Sequence, residues 1–143
     1  MKKIFAVVIL ASVSTLANAC TVKTYTSSSQ VRVARDRAFG FKNFDAICER
    51  LRAENAALLI AGDAGILNGN SLGWAVITVV DKNGWIYSGN GGGSTTHIGE
   101  QGTMLEATAL LRQAIDDSIE KTNFEMAIGG LNSVRSQLKA AKR

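Results

Sequence analysis

A chain of 143 residues with 46% apolar side chains is long enough to fold one compact domain around its own core and too short for two. Its 16 basic and 12 acidic residues give a net charge of +4, too small and too scattered for the basic face that nucleic acid requires. Proline is absent and glycine reaches 14, so Gly, Asn and Asp must make every sharp reversal.

Residues 1–19 have the three parts of a bacterial-type export signal peptide. Lys2 and Lys3 form a charged start, residues 4–10 are apolar, and Ala17 and Ala19 are the small residues a signal peptidase requires. The apolar run is too short to span a bilayer, which takes about 20 residues, and Ser12, Ser14 and Thr15 interrupt its continuation. Cleavage removes Lys2 and Lys3, leaving 14 basic residues against 12 acidic ones. The expected location is the periplasm or the medium, alternatively the outer membrane as a lipoprotein, and nucleic acid is not an expected partner.

Cys20 follows the apparent cleavage site, and two chemistries fit it. In an oxidising compartment Cys20 pairs with Cys48, the only other cysteine, closing a loop worth about 3 kcal/mol in the chain-entropy picture. Alternatively Cys20 is the acylated first residue of a lipoprotein, and the hydroxyl-rich stretch 21–30 is its tether. The Ala-x-Ala ending matches ordinary secretory cleavage, and Leu16 lies one place too early for the lipoprotein pattern. Residues 20–40 then read as a polar and basic N-terminal arm or tether, with Val31 and Val33 alternating as in a short edge strand. Residues 41–143 read as a single α+β domain.

Within that domain Phe44, Ile47, Cys48 and Leu51 recur at helical spacing, predicting a helix over 43–55 with Asn43 as its N-cap. The period then changes. Residues 56–61 and 72–80 read as strands, and the glycines of 62–73 suggest a flexible loop or short hairpin between them. Asp81-Lys82-Asn83-Gly84 predicts a tight turn joining 72–80 to a strand over 85–88, with Trp74, Trp85 and Tyr87 as core or cross-strand partners. The stripe of Met104, Ala107, Leu111, Ala114, Ile115 and Ile119 predicts a long helix over 103–122. A last amphipathic segment, 124–143, carries a Gly129-Gly130 break. The expected architecture is an antiparallel sheet of three to five strands with two or three helices packed mainly on one face.

No motif fixes a reaction, a metal or a cofactor. The segment least like scaffold is 89–97, where Gly91, Gly92, Gly93, Ser94, Thr95 and His97 offer free backbone amides, hydroxyls and an imidazole to a phosphate or carboxylate. Its spacing matches neither the dinucleotide fingerprint nor the P-loop. His97 and Glu100 would converge if helical, yet zinc needs at least three protein ligands, and no Gly-x-Ser-x-Gly elbow accompanies Ser88 or Ser94. The expected function is therefore a non-catalytic protein-binding module, such as an inhibitor, immunity or accessory protein. A small-ligand or anion-binding domain using 89–97 is the alternative, and a hydrolase comes third.

The intact mass of the processed protein, taken without reductant, separates the two fates of Cys20. A chain starting at Cys20 and two hydrogens light carries the disulfide; a chain heavier by acyl groups is a lipoprotein.

Overall fold

The computed structural model describes residues 21–35 and 40–142; the signal-type segment and Cys20 lie outside the described residues. In chain order the elements are β1 (Thr24–Thr26), α1 (Ser29–Arg35), α2 (Phe44–Ala53), β2 (Ala56–Leu67), β3 (Asn70–Asp81), β4 (Gly93–Gly99), α3 (Met104–Lys121) and α4 (Phe124–Ala140). The strands form one sheet in the order β1-β2-β3-β4. The fold is α+β and the strand number falls within the expected range. The sheet is mixed rather than wholly antiparallel, because β1 runs parallel to β2.

The centre of the sheet is a long hairpin in which all twelve residues of β2 pair with β3, from Ala56 opposite Asp81 to Leu67 opposite Asn70. Asn68 (φ 51°) and Gly69 (φ 79°) close it. Both central residues of a type I′ turn need positive φ, which Asn and Gly tolerate best. The glycine-rich stretch that suggested a loop is thus strand on both sides of a two-residue turn. The expected pairing of 72–80 with 85–88 shrinks to one bridge, Val80 with Tyr87, and β4 occupies the rest of that edge of β3 from Ser71–Gly99 to Ile77–Gly93.

Glycine in these strands makes room for α3. A Cβ on Gly73 would collide with the backbone of Leu110 and Leu111, one on Gly93 with the Ser118 carbonyl oxygen, and one on Gly99 with the Glu106 carboxylate. The helix therefore lies almost backbone to backbone on the sheet. Its start is tied to β3 by Ser71, whose hydroxyl donates to Thr103 O at 3.0 Å and accepts from Thr103 N at 2.9 Å. Thr103 caps the helix by accepting from Glu106 N, which satisfies one of the amides left open at a helix start. Deeper in, the Ser118 hydroxyl donates to Ala75 O at 3.1 Å.

The core lies where α3 meets the sheet. Alternate residues of β2 (Leu58, Ile60, Ala64) and β3 (Ala75, Ile77, Val79) join Leu111, Ile115 and Ile119 of α3, Leu131 of α4 and Leu51 of α2 in one buried cluster. The N-terminal stretch belongs to it as well. Val31 and Ala34 are buried on α1, so Val31 and Val33 lie on a helix and not on an edge strand, and Val22 joins the same cluster. Asn43 stands at the start of α2 in a left-handed conformation and makes no side-chain cap. Helix α4 runs unbroken through Gly129 and Gly130; Gly130 faces Asn90 and the Ser88 carbonyl, where a side chain would not fit, whereas Gly129 faces open space.

Two substitutions test this use of glycine. Gly73→Ala overpacks the contact with α3 and should lose about 3 kcal/mol or more in urea denaturation. Gly129→Ala should gain roughly 0.5–1 kcal/mol, because the helix interior gains a better former at no steric cost.

Candidate functional site

The sheet has two unlike faces, because side chains alternate along a strand. The face toward α3 is buried. The other, the outer face, carries Leu59 and Ala61 on β2, Leu72, Trp74, Val76 and Thr78 on β3, and Ser94, Thr96 and Ile98 on β4. Asp63 is the only charged side chain in the outer row shared by β2, β3 and β4. Val76 is 37% exposed and Ile98 70% exposed, while Leu59, Leu72 and Trp74 are half-buried by their neighbours.

Beyond the end of β3 the chain turns through residues 82–84 and returns with two exposed aromatic residues, Trp85 at 84% and Tyr87 at 51%. These were expected as core or cross-strand partners; Tyr87 keeps a cross-strand bridge to Val80, and neither lies in the core. Only Ile86, between them, packs against it. The turn that presents them is held by Asp81. One carboxylate oxygen accepts from Trp85 N at 2.7 Å and from Ile86 N at 2.8 Å, and the other accepts from Asn83 N at 3.2 Å. Backbone bonds from Asp81 N to Ile86 O and from Gly84 N to Asp81 O complete the turn, and Gly84 takes φ 78°. The Tyr25 ring lies against Gly84, and its hydroxyl donates to Lys82 O at 2.8 Å. Burial pushes the Asp81 pKa up, but the amides of Ile86, Trp85 and Asn83, together with Arg135, outweigh it and hold the carboxyl below its ordinary value of 3.8.

Between the aromatic turn and β4 lies a groove lined by Val76, Thr78, Tyr87, Ser88, Gly89, Asn90, Gly92 and Ser94. It overlaps the segment singled out from sequence, although that segment is divided differently. Residues 93–99 are strand, so Ser94 faces the outer side while Gly93, Thr95 and His97 face α3. Gly91 takes φ 73° and presses against the start of α4, where Asn123 N donates to its carbonyl at 2.9 Å and a Cβ would meet Ala127 N. Gly92, Gly93 and Ser94 line the groove; Gly91, Thr95 and His97 are absent from its lining.

His97 meets Asp117 of α3, with Nε2 2.7 Å from Oδ2. Glu100, the partner suggested by spacing, is exposed, and Glu106 instead accepts from Gln101 N. Thr95, two residues before His97, accepts from Lys121 Nζ at 3.1 Å. The neighbouring Asp116 of α3 accepts from Gly40 N; burial raises its pKa, and that amide opposes the rise. Ser94 and His97 leave opposite faces of β4 and do not form a nucleophile–base pair, and the Ser88 hydroxyl donates to Asn90 O. Among the described residues no three His, Cys, Asp or Glu side chains gather as metal ligands.

Cys48 is buried on α2 and lines a second pocket with Thr21, Val22 and Lys23. Comparison with known proteins brings no match: no family model, no curated protein and no solved structure is similar to this chain.

The Asp81 carboxylate gives the aromatic turn a pH-dependent stability. A folded-state pKa held below 3.8 contributes stability that is complete above 3.8 and is lost as the pH falls through the folded value. Asp81→Ala should therefore unfold about 1–3 kcal/mol more easily than wild type at neutral pH, leaving three amides without their acceptor. The gap should close in acid when urea midpoints are compared across a pH series.

Proposed function

We propose that this chain is an exported, non-catalytic envelope protein that binds another protein through the outer face of its sheet and the aromatic turn beside it. The observation that carries the reading is the exposure of Trp85 and Tyr87 on a turn fixed by Asp81, next to a nearly uncharged surface of Val76, Trp74, Leu72 and Ile98. Rigid aromatic side chains lose little entropy on binding and dominate interface energetics. A small soluble domain seldom leaves contiguous apolar surface of this kind without use. Export rests on the signal-type segment 1–19. A Cys20–Cys48 disulfide is the state of the N-terminus we favour. Its support is that Cys48 lies beside Thr21 and Val22, next in sequence to Cys20, and is not a free thiol.

The second reading, a small polar ligand, is supported by the groove itself. The hydroxyls of Thr78, Tyr87, Ser88 and Ser94 and the Asn90 amide border it. In this reading the ligand meets Gly92, Gly93 and Ser94, and His97 plays no part.

Crosslinking in the envelope tests the protein-binding reading. The wild-type chain should capture one dominant species, and Trp85→Ala combined with Tyr87→Ala should weaken that capture tenfold or more, since such residues each contribute on the order of 2 kcal/mol where they act as anchors. Equal capture by the double variant, with an unchanged melting temperature, overturns it.

A further inference from the structure

Strand β4 is one edge of the sheet, opposite β1, and it lacks the devices that keep such edges single. Edge strands are ordinarily blunted by charge, proline, bulges or a covering element. Gly93-Ser94-Thr95-Thr96-His97-Ile98-Gly99 contains no Lys, Asp, Glu or Pro. Among the described residues none forms a strand on its far side. Ile98, near its end, is the most exposed apolar side chain of the sheet.

The charges beside this edge are arranged in a self-complementary way. Asp117 and Lys121 stand four residues apart on α3, a spacing at which they could pair with each other. Each instead reaches a side chain of β4: Asp117 takes His97, and Lys121 donates to Thr95. The two β4 residues flank Thr96, the middle of the seven-residue strand.

We propose that two copies of this chain associate through β4, antiparallel and centred on Thr96, to form a continuous eight-stranded sheet. This register pairs all seven residues. Thr96 of one protomer faces Thr96 of its partner, Ser94 faces Ile98, and Thr95 faces His97. Residues directly opposite on antiparallel strands have Cβ atoms about 4.5–5.5 Å apart. Thr95 of one protomer therefore brings its Lys121 next to His97 of its partner and the Asp117 bonded to it. The two-fold axis repeats the contact, giving two Lys121–Asp117 pairs across the dyad. On the outer face each Ile98 gains cover from the facing strand.

Charge reversal with rescue tests the register. The mature chain should sediment as a dimer, with dissociation at low concentration. Asp117→Lys turns each of the two contacts into a lysine facing a lysine, Lys121→Asp turns each into an aspartate facing an aspartate, and each variant alone should raise the dimer dissociation constant about tenfold or more. Mixed in equal amounts the two variants carry opposite charges, and native mass spectrometry should show the heterodimer restored. A second variant leaves the inner face untouched: Thr96→Cys should form a reducible covalent dimer, because residues facing each other across the dyad lie within disulfide reach. A wild-type monomer at every concentration, a dimer indifferent to both reversals, or a mixture that fails to pair overturns the proposal. Absence of the Thr96→Cys crosslink in a dimeric protein overturns the register.

Discussion

The close approach of α3 to the sheet governs the rest of this fold. Leu110, Leu111 and Ser118 lie so near β3 and β4 that only glycine fits at Gly73 and Gly93, and Gly99 accommodates the Glu106 carboxylate in the same way. Leu111, Ile115 and Ile119 share one buried cluster with Leu58, Ile60 and Ile77 of the strands. Short separation also lets hydrogen bonds cross the layer, from Ser71 to Thr103 and from Ser118 to Ala75. Buried hydroxyls left without partners would cost about 1–3 kcal/mol each, so these bonds fix the helix in one register along the sheet.

A helix seated on one side leaves the two sides of the sheet with different tasks. Toward α3 the strands carry small and branched apolar residues that complete a core. Away from it they carry Trp74, Val76, Thr78 and Thr96, a surface with strand propensity and almost no charge. Burial alone does not explain such composition, since an exposed face with no constraint ordinarily alternates apolar with polar residues. The turn at Asp81 extends the same surface. Three amides and a carboxylate hold Trp85 and Tyr87 outward in a defined orientation, which reduces the entropy an anchor residue loses on binding.

The periodic elements were legible in the sequence, and the glycine-rich ones were not. Helices α2 and α3 begin and end within two residues of their expected bounds, because their apolar stripes have a clear 3.6-residue period. The turn at Gly84 was legible from Asp81-Lys82-Asn83-Gly84, but its partner strand was not. Residues 85–88 have strand composition, yet β4 takes the edge of β3 with seven paired residues against one bridge. Gly62, Gly73 and Gly93 read locally as loop because glycine carries no strand propensity; their role is set by a helix far along the chain. Asn68-Gly69 was a local hairpin signal masked by the same glycines. The His97–Asp117 contact joins residues twenty apart, so only the packing of α3 on β4 could reveal it.

The segment that looked most like a binding loop is divided: Gly89, Asn90, Gly92, Gly93 and Ser94 border the groove, while Gly91, Thr95 and His97 contact α4 and α3. Gly91 and Gly93 are spent on approaches to α4 and α3, and His97 and Thr95 on contacts with Asp117 and Lys121. A nest of free amides needs successive residues curled around one point, whereas an extended strand sends alternate residues to opposite sides. Ser94 alone among the polar residues of β4 that drew attention lies on the groove. Trp85 and Tyr87, read from sequence as core or cross-strand partners, are left exposed. The carboxylate of Asp81, a residue of low exposure, holds them there. A solvated turn of ordinary composition needs no such clamp, and the physical case for recognition rests on that contrast.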